Sequence, residues 1–97
     1  MSDPRAASDA RKLALDAVDE YRGDLPSLQG LVALLDGLRP RLGSLDDEWL
    51  AKYEHHVGVL DEIYALTQQS RWSRFGKRRR EMVRDEVNGL RSLLVAD

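Results

Sequence analysis

The stretch SLDDEWLAKYEHHVGVLDEIYALT, residues 44–67, decides the fold. Trp49, Tyr53, Val57, Leu60, Tyr64 and Thr67 recur at steps of three and four, flanked by Leu50, Ile63 and Leu66. That near-heptad spacing lays an apolar stripe along one side of an α-helix about five turns long. Ser44-Leu45-Asp46-Asp47 has the form of a capping box, and its carboxylates sit at the positive end of the helix dipole. A long helix is therefore predicted from this serine, and it is the most periodic segment of the chain, expected to be the central packing element.

Three further amphipathic segments surround it. Pro4 to Tyr21 reads as a first helix, with Ser2 or Asp3 as its cap and Gly23 as its stop. Its apolar face is Ala10, Leu13, Ala14, Ala17, Val18 and Tyr21, rich in alanine and therefore thin. Asp24 or Leu25 can precede a second helix whose first turn holds Pro26 and whose stripe is Leu28, Leu31, Val32, Leu35 and Leu38, with Pro40 and Gly43 ending it. Gly30 and Gly37 lie two turns apart on it; close approach of a neighbouring helix and simple tolerance both account for them. The pattern fails from Gln68 to Gly76, a loop, and a fourth helix follows from Lys77 to Val95, burying Met82, Val83, Val87, Leu90, Leu93 and Leu94. Four such helices with three short joints predict an all-α, antiparallel up-down four-helix bundle with a long central third helix, a single domain over residues 1–97.

Composition agrees with this. The chain has 97 residues, 42% of them hydrophobic and 33% charged, enough for one modest core that removes roughly 60–65% of the unfolded surface from water. Cysteine is absent, which excludes disulfides, thiolate metal sites and a cysteine nucleophile. The expectation is a cytoplasmic protein, since the start lacks the pattern of a signal peptide and no apolar run approaches the roughly 20 residues of a membrane span. The net charge of −2 conceals an asymmetry: residues 1–70 carry 13 acids against 7 bases, and residues 71–97 carry 4 acids against 8 bases.

Catalytic and metal-binding patterns are missing. His55 and His56 are adjacent, which turns them about 100° apart on a helix and keeps them from chelating one ion. Neither the Glu-x-x-His pairs of a diiron bundle, nor a glycine-rich phosphate loop, nor a nucleophile motif occurs. The expectation is a protein without cofactor or metal, and not an enzyme, which acts by offering a surface. Two surfaces qualify. The first is acidic: Asp16, Asp19, Glu20 and Asp24 at the end of the first helix, with Asp46, Asp47, Glu48, Glu54, Asp61 and Glu62 on the third. The second is the basic segment Arg71, Trp72, Arg74, Phe75, Lys77, Arg78, Arg79 and Arg80, where cations suited to phosphates alternate with rings suited to stacked bases.

Tyr21-Arg22-Gly23-Asp24-Leu25-Pro26-Ser27-Leu28-Gln29-Gly30-Leu31-Val32-Ala33-Leu34-Leu35-Asp36, followed by Asp47-Glu48-Trp49-Leu50 and Leu60-Asp61-Glu62-Ile63-Tyr64-Ala65-Leu66, resembles the small helical bacterial immunity proteins that accompany contact-dependent or polymorphic toxins. The likeness covers roughly residues 13–67, is carried mostly by turn and core positions, and departs from the family in its long basic linker after Leu66. It implies an antidote that binds a cognate toxin domain and blocks it without chemistry. Separately from the likeness, the short apolar runs lead to the expectation of no membrane partner, and the oligomeric state is left open with a monomer favoured. For a nuclease toxin, carboxylates of the first and third helices would fill the cationic cleft that otherwise holds phosphates. Charge would then govern association rate and partner choice, and buried aromatics would hold the complex. Trp49, Tyr53, Tyr64 and Trp72 are the candidate anchors, at least two of which the core should claim. Nucleic acid bound along residues 71–80 is the alternative.

Overall fold

The computed structural model describes residues 4–42, 46–69 and 76–95, which form four helices: α1 (Pro4–Glu20), α2 (Leu25–Leu42), α3 (Asp47–Gln69) and α4 (Lys77–Val95). The Ser2 or Asp3 cap, Ser44 of the capping box and residues 70–75 lie outside the described residues. The fold is all-α. Among the described residues no helix is long and apolar enough to cross a membrane.

Local chemistry explains each joint. α1 stops where Gly23 takes φ +82°, a left-handed conformation that costs glycine little. Asp24 then caps α2: its Oδ1 accepts from the Ser27 amide at 2.8 Å and its carbonyl accepts from the Leu28 amide at 3.1 Å. The Ser27 hydroxyl receives the Arg22 amide at 3.2 Å, tying the end of one helix to the start of the next. At α3 the cap is Asp46, whose Oδ1 accepts from the Glu48 amide at 3.3 Å and whose carbonyl accepts from Leu50 at 2.9 Å.

α2 does not end at Pro40. It runs two residues further, to Leu42, although Pro40 has no N–H to give to the Asp36 carbonyl. Two facts favour the continuation. Leu42 is fully buried and would be lost from the core if the helix stopped. Beside the missing bond, the Tyr53 hydroxyl donates to the Leu35 carbonyl at 2.6 Å, fastening α2 to α3 across the core.

The helices form a ring. α1 packs on α2 and α4, and α3 packs on α2 and α4, while the backbones of the diagonal pairs stay apart. Arg11, midway along α1, reaches Leu94 near the end of α4, and Tyr21, just past the end of α1, lies beside Arg80 near the start of α4, so α1 and α4 are antiparallel. Arg39 with Glu54 and Gln29 with Tyr64 set α2 against α3, and His56 with Glu86 and Thr67 with Arg79 set α3 against α4. The up-down bundle measures 48 × 21 × 20 Å. α3 is the longest helix at 23 residues and contributes one corner of four to the interior.

The core is leucine from α2 (Leu28, Leu31, Leu35, Leu38 and Leu42), alanine and Val18 from α1, Tyr53, Val57, Leu60 and Ile63 from α3, and Val83, Val87, Leu90 and Leu94 from α4. The thin alanine face expected of α1 is present, and Ala7 joins it. Two side chains expected inside are outside: Leu13 is 43% exposed and Met82 45%. At about 100° per residue, Leu13 falls to one side of the Ala10, Ala14 and Ala17 line, and Met82 is turned away from the Val83 seam. Leu93, expected to be buried, is partly so. Ala added at Gly30 or Gly37 would meet nothing within 4 Å, so no helix approaches them closely and tolerance explains both.

One end of the bundle is closed by aromatic and cationic groups. Trp49 stacks on Tyr53 with ring centroids 5.6 Å apart, and its indole N–H donates to the Leu93 carbonyl at 3.3 Å. Arg11 lies 5.5 Å over the Trp49 ring and donates to the Leu94 carbonyl at 3.1 Å. These are the carbonyls a helix C-terminus leaves without intrahelical partners, met by a cation where the dipole is negative.

Candidate functional site

A groove of about 440 Å³ runs between α2 and α3. It exists because the sequence places small residues on its walls: Ala33 on α2 and Gly58 on α3, the latter facing open space where a side chain would otherwise stand. Val32 and Val57 line it below, at the edge of the core. Asp36 and Arg39 from α2 and Glu54, Asp61 and Tyr64 from α3 line it above.

The polar groups are ordered by Arg39. Its guanidinium donates to Glu54 Oε1 at 2.7 Å and lies 3.6 Å from Asp36 Oδ1, one cation held between two carboxylates. Hydrogen bonding to Glu54, helped by that residue's charge, raises the Arg39 pKa above its ordinary value. Both partners of the short pair are exposed, 49% and 42%, so water and salt weaken it and an incoming cation can take the place of Arg39. Asp61 makes no ion pair within 4.0 Å among the described residues. The groove thus carries three carboxylates against one guanidinium above an apolar floor. Tyr64, half-buried, closes one end, its hydroxyl accepting from Gln68 Nε2 at 3.0 Å.

Beneath it, Tyr53 is fully buried. Burial pushes its hydroxyl pKa well up, the Asp36 charge adds to the shift and Arg39 opposes it. The hydroxyl is a structural donor to Leu35, so Tyr53 is not presented to a partner, while Trp49 is partly buried against the core. Of the four candidate anchors, Trp49 and Tyr64 keep part of their surface exposed, and Tyr64 is the one that lines the groove; Trp72 lies outside the described residues.

The ten carboxylates of the expected acidic surface fall in different places. α1 and α3 sit on a diagonal, so Asp16, Asp19, Glu20 and Asp24 are not continuous with those of α3. Asp24 and Asp46 are helix caps. Asp19 pairs with Arg91 at 2.8 Å, and Glu48 lies 4.0 Å from Lys52. Asp47 and Glu62 are exposed on α3, and only Glu54 and Asp61 reach the groove. Sequence reasoning missed Asp36 and Arg39. Their i, i+3 spacing on α2 was visible, but not that α2 would bring them to Glu54.

Of the basic segment, Arg71, Trp72, Arg74 and Phe75 lie outside the described residues. Lys77, Arg78 and Arg80 are exposed in the first turn of α4, while Arg79 is half-buried and donates to Thr67 Oγ1 at 3.0 Å, which itself donates to the Ile63 carbonyl at 2.8 Å. His55 is exposed, whereas His56 is turned inward and contacts Glu86 at 2.5 Å. Among the described residues no group of three or more His, Asp or Glu side chains is placed to hold a metal ion. Comparison with known protein families, curated proteins and solved structures finds no match to this chain.

Proposed function

We propose that this chain is a binding module of the immunity type, which neutralises a basic protein domain by seating a cationic segment of it in the groove between α2 and α3. The observation that carries the reading is the groove itself: Asp36, Glu54 and Asp61 on its rim, Val32 and Val57 on its floor. A lysine or arginine of the partner would exchange with Arg39 at Glu54 and meet Asp61 directly, while apolar parts of the same segment cover the valines. The partner class that fits is a toxin domain whose active cleft binds phosphate, such as a nuclease. Cations gathered there for substrate are attracted by the same carboxylates, so antidote and nucleic acid compete, and no bond is made or broken by this chain. The protein acts as a monomer inside the cytoplasm of the producing cell.

The test is co-expression with a candidate toxin domain, sought first among the neighbouring genes. Growth should be restored by the parent chain and not by the Asp36→Lys, Asp61→Lys double variant, both positions being exposed, with circular dichroism showing that the variant is folded. Protection that survives this change but is lost in Asp16→Lys, Glu20→Lys would move the interface to α1; no protection by the parent would end the proposal.

A second reading, nucleic acid along residues 71–80, is favoured by the exposed cations Lys77, Arg78 and Arg80. It requires gel-shift binding that falls steeply with salt and is abolished by Arg78→Glu, Arg79→Glu, Arg80→Glu.

A further inference from the structure

A second concavity, of about 490 Å³, opens at the end of the bundle remote from Trp49, where the α1–α2 turn meets the start of α4. Arg22 and Gly23 come from the turn, and Lys77, Arg80, Glu81 and Arg84 from successive turns of one side of α4. None of the four cations makes an ion pair within 4.0 Å among the described residues, and Glu81 is the one carboxylate lining the notch. Asp24, in the same turn, caps α2 through Ser27, and its charge is also felt by Arg22 and by Tyr21. Tyr21 forms the remaining wall, and its hydroxyl is buried without a hydrogen-bond partner. Burial, and then the charge of Asp24, raise the pKa of that hydroxyl against the pull of Arg80, which keeps it a proton donor.

Like charges gathered in one concavity repel each other, and nothing in the packing requires them there, since all four side chains are exposed. We infer that the notch is a binding site for the diphosphate group of a small anionic ligand, held by Arg22, Lys77, Arg80 and Arg84. Four cations against Glu81, with Asp24 beside Arg22, leave an excess of positive charge that suits the several negative charges of a diphosphate better than the single charge of a carboxylate ligand. Guanidinium groups approaching from two directions, the turn and the helix, can each present a two-pronged donor to separate phosphate oxygens. A volume in the range of small-molecule sites leaves room for what the diphosphate is attached to. The inference is independent of the α2–α3 groove, and it differs from the nucleic-acid reading in needing Arg22 and Arg84, which stand outside residues 71–80.

Isothermal titration of the full chain at about 0.15 M salt, with inorganic pyrophosphate and with adenosine diphosphate as separate probes, tests it. Saturable binding of one equivalent of either probe is expected; tighter binding of the nucleotide would mark the ligand as a diphosphate ester, and tighter binding of pyrophosphate as the free anion. Arg22→Glu and Arg84→Glu should each weaken binding by about tenfold or more, while Arg41→Glu, on α2 at the opposite end, leaves it unchanged. Arg84→Glu should not lower the melting temperature, and Arg84→Gln, which keeps the length of the chain and its helix propensity, should weaken binding as well. Absence of saturable binding, equal losses in Arg41→Glu, or single-stranded oligonucleotide binding that depends on Arg78 and ignores Arg22 and Arg84 would each overturn the inference.

Discussion

Replacing helical glycines by alanine gives opposite results at positions that look alike in sequence. Alanine in place of glycine inside a helix ordinarily stabilises by about 1 kcal/mol, because the unfolded chain has less freedom to lose. At Gly30 and Gly37 an added Cβ meets nothing within 4 Å, so the full gain is expected. For a chain of this size it raises Tm by about 4–8 °C. At Gly89 the same atom would lie 2.8 Å from Cε1 of His56, 3.3 Å from Nε2 and 3.4 Å from Nδ1. The ring lies across the glycine and is tied to Glu86 at 2.5 Å, so it cannot yield without giving up that contact. A hydrogen bond with a charged partner, on side chains about three-quarters buried, contributes roughly 1–2 kcal/mol. The gain and the loss then cancel or leave a deficit of up to about 1 kcal/mol. Gly89→Ala is expected to leave Tm unchanged or to lower it by a few degrees, as measured by thermal unfolding followed by circular dichroism. Made in a His56→Ala background, it should recover the ordinary gain, which a double-mutant cycle would read as coupling. Stabilisation by Gly89→Ala equal to that of Gly30→Ala would refute the packing described for His56.

Three further outcomes follow from the geometry. Gly58→Ala should raise Tm like Gly30→Ala, since open space surrounds it, and yet weaken protection against a toxin, because the methyl enters the groove; stability and binding moving together would contradict the groove as the interface. Tyr53→Phe keeps the ring on Trp49 and removes the 2.6 Å bond to Leu35, costing about 1 kcal/mol near neutral pH. Because burial raises the folded-state pKa of Tyr53 above its ordinary 10.0, its contribution is present below pH 10 and fades as pH rises through the folded value, so alkaline unfolding should begin later in the Phe variant. Asp24 shows the reverse sign: hydrogen bonds from Ser27 hold its pKa below the usual 3.8, so the stability it adds is present above that pH and lost as pH falls through the lowered value. Asp24→Asn keeps an acceptor at the cap, and its Tm should therefore fall less than the parent's on acidification through this range.

The four helices were legible in the sequence to within a few residues, α4 to the residue, because Val83, Val87, Leu90 and Leu94 form an unbroken seam with Gly76 before it. At the end of α2 the two stop signals parted: the helix passes Pro40, carried further by a buried Leu42 and the hydroxyl of Tyr53, and runs to Leu42, the residue before Gly43. Leu13 and Met82 were read as core on hydrophobicity alone, against the angular position that 100° per residue assigns them. The acidic surface illustrates a different limit. A ring of consecutive antiparallel helices puts the first and third on a diagonal, so carboxylates on those two cannot merge; topology, not composition, broke the expected face into the α2–α3 groove and isolated charges. Asp36 and Arg39 became visible only when the register of α2 on α3 set them opposite Glu54.

The two ends of the bundle obey different electrostatic rules, and the contrast locates the chemistry. Where α4 ends, Arg11 supplies a cation and Trp49 an N–H to carbonyls that a helix leaves unsatisfied, so charge and dipole agree. Where α4 begins, Lys77, Arg78, Arg79 and Arg80 stand at the positive end of its dipole, with no acid in the first turn, an arrangement that works against the helix. Arg79 is engaged by Thr67, which leaves Lys77, Arg78 and Arg80 without a structural reason to be there. Local rules are broken at binding sites because the ligand completes the balance. The groove and the notch lie on different helix pairs, α2 with α3 and α4 with the α1–α2 turn, so occupation of one does not block the other. Substitutions at Asp36 and Asp61 should accordingly leave diphosphate binding intact, and those at Arg22 and Arg84 should leave protection intact, the energies adding independently as they do for sites that share no partner.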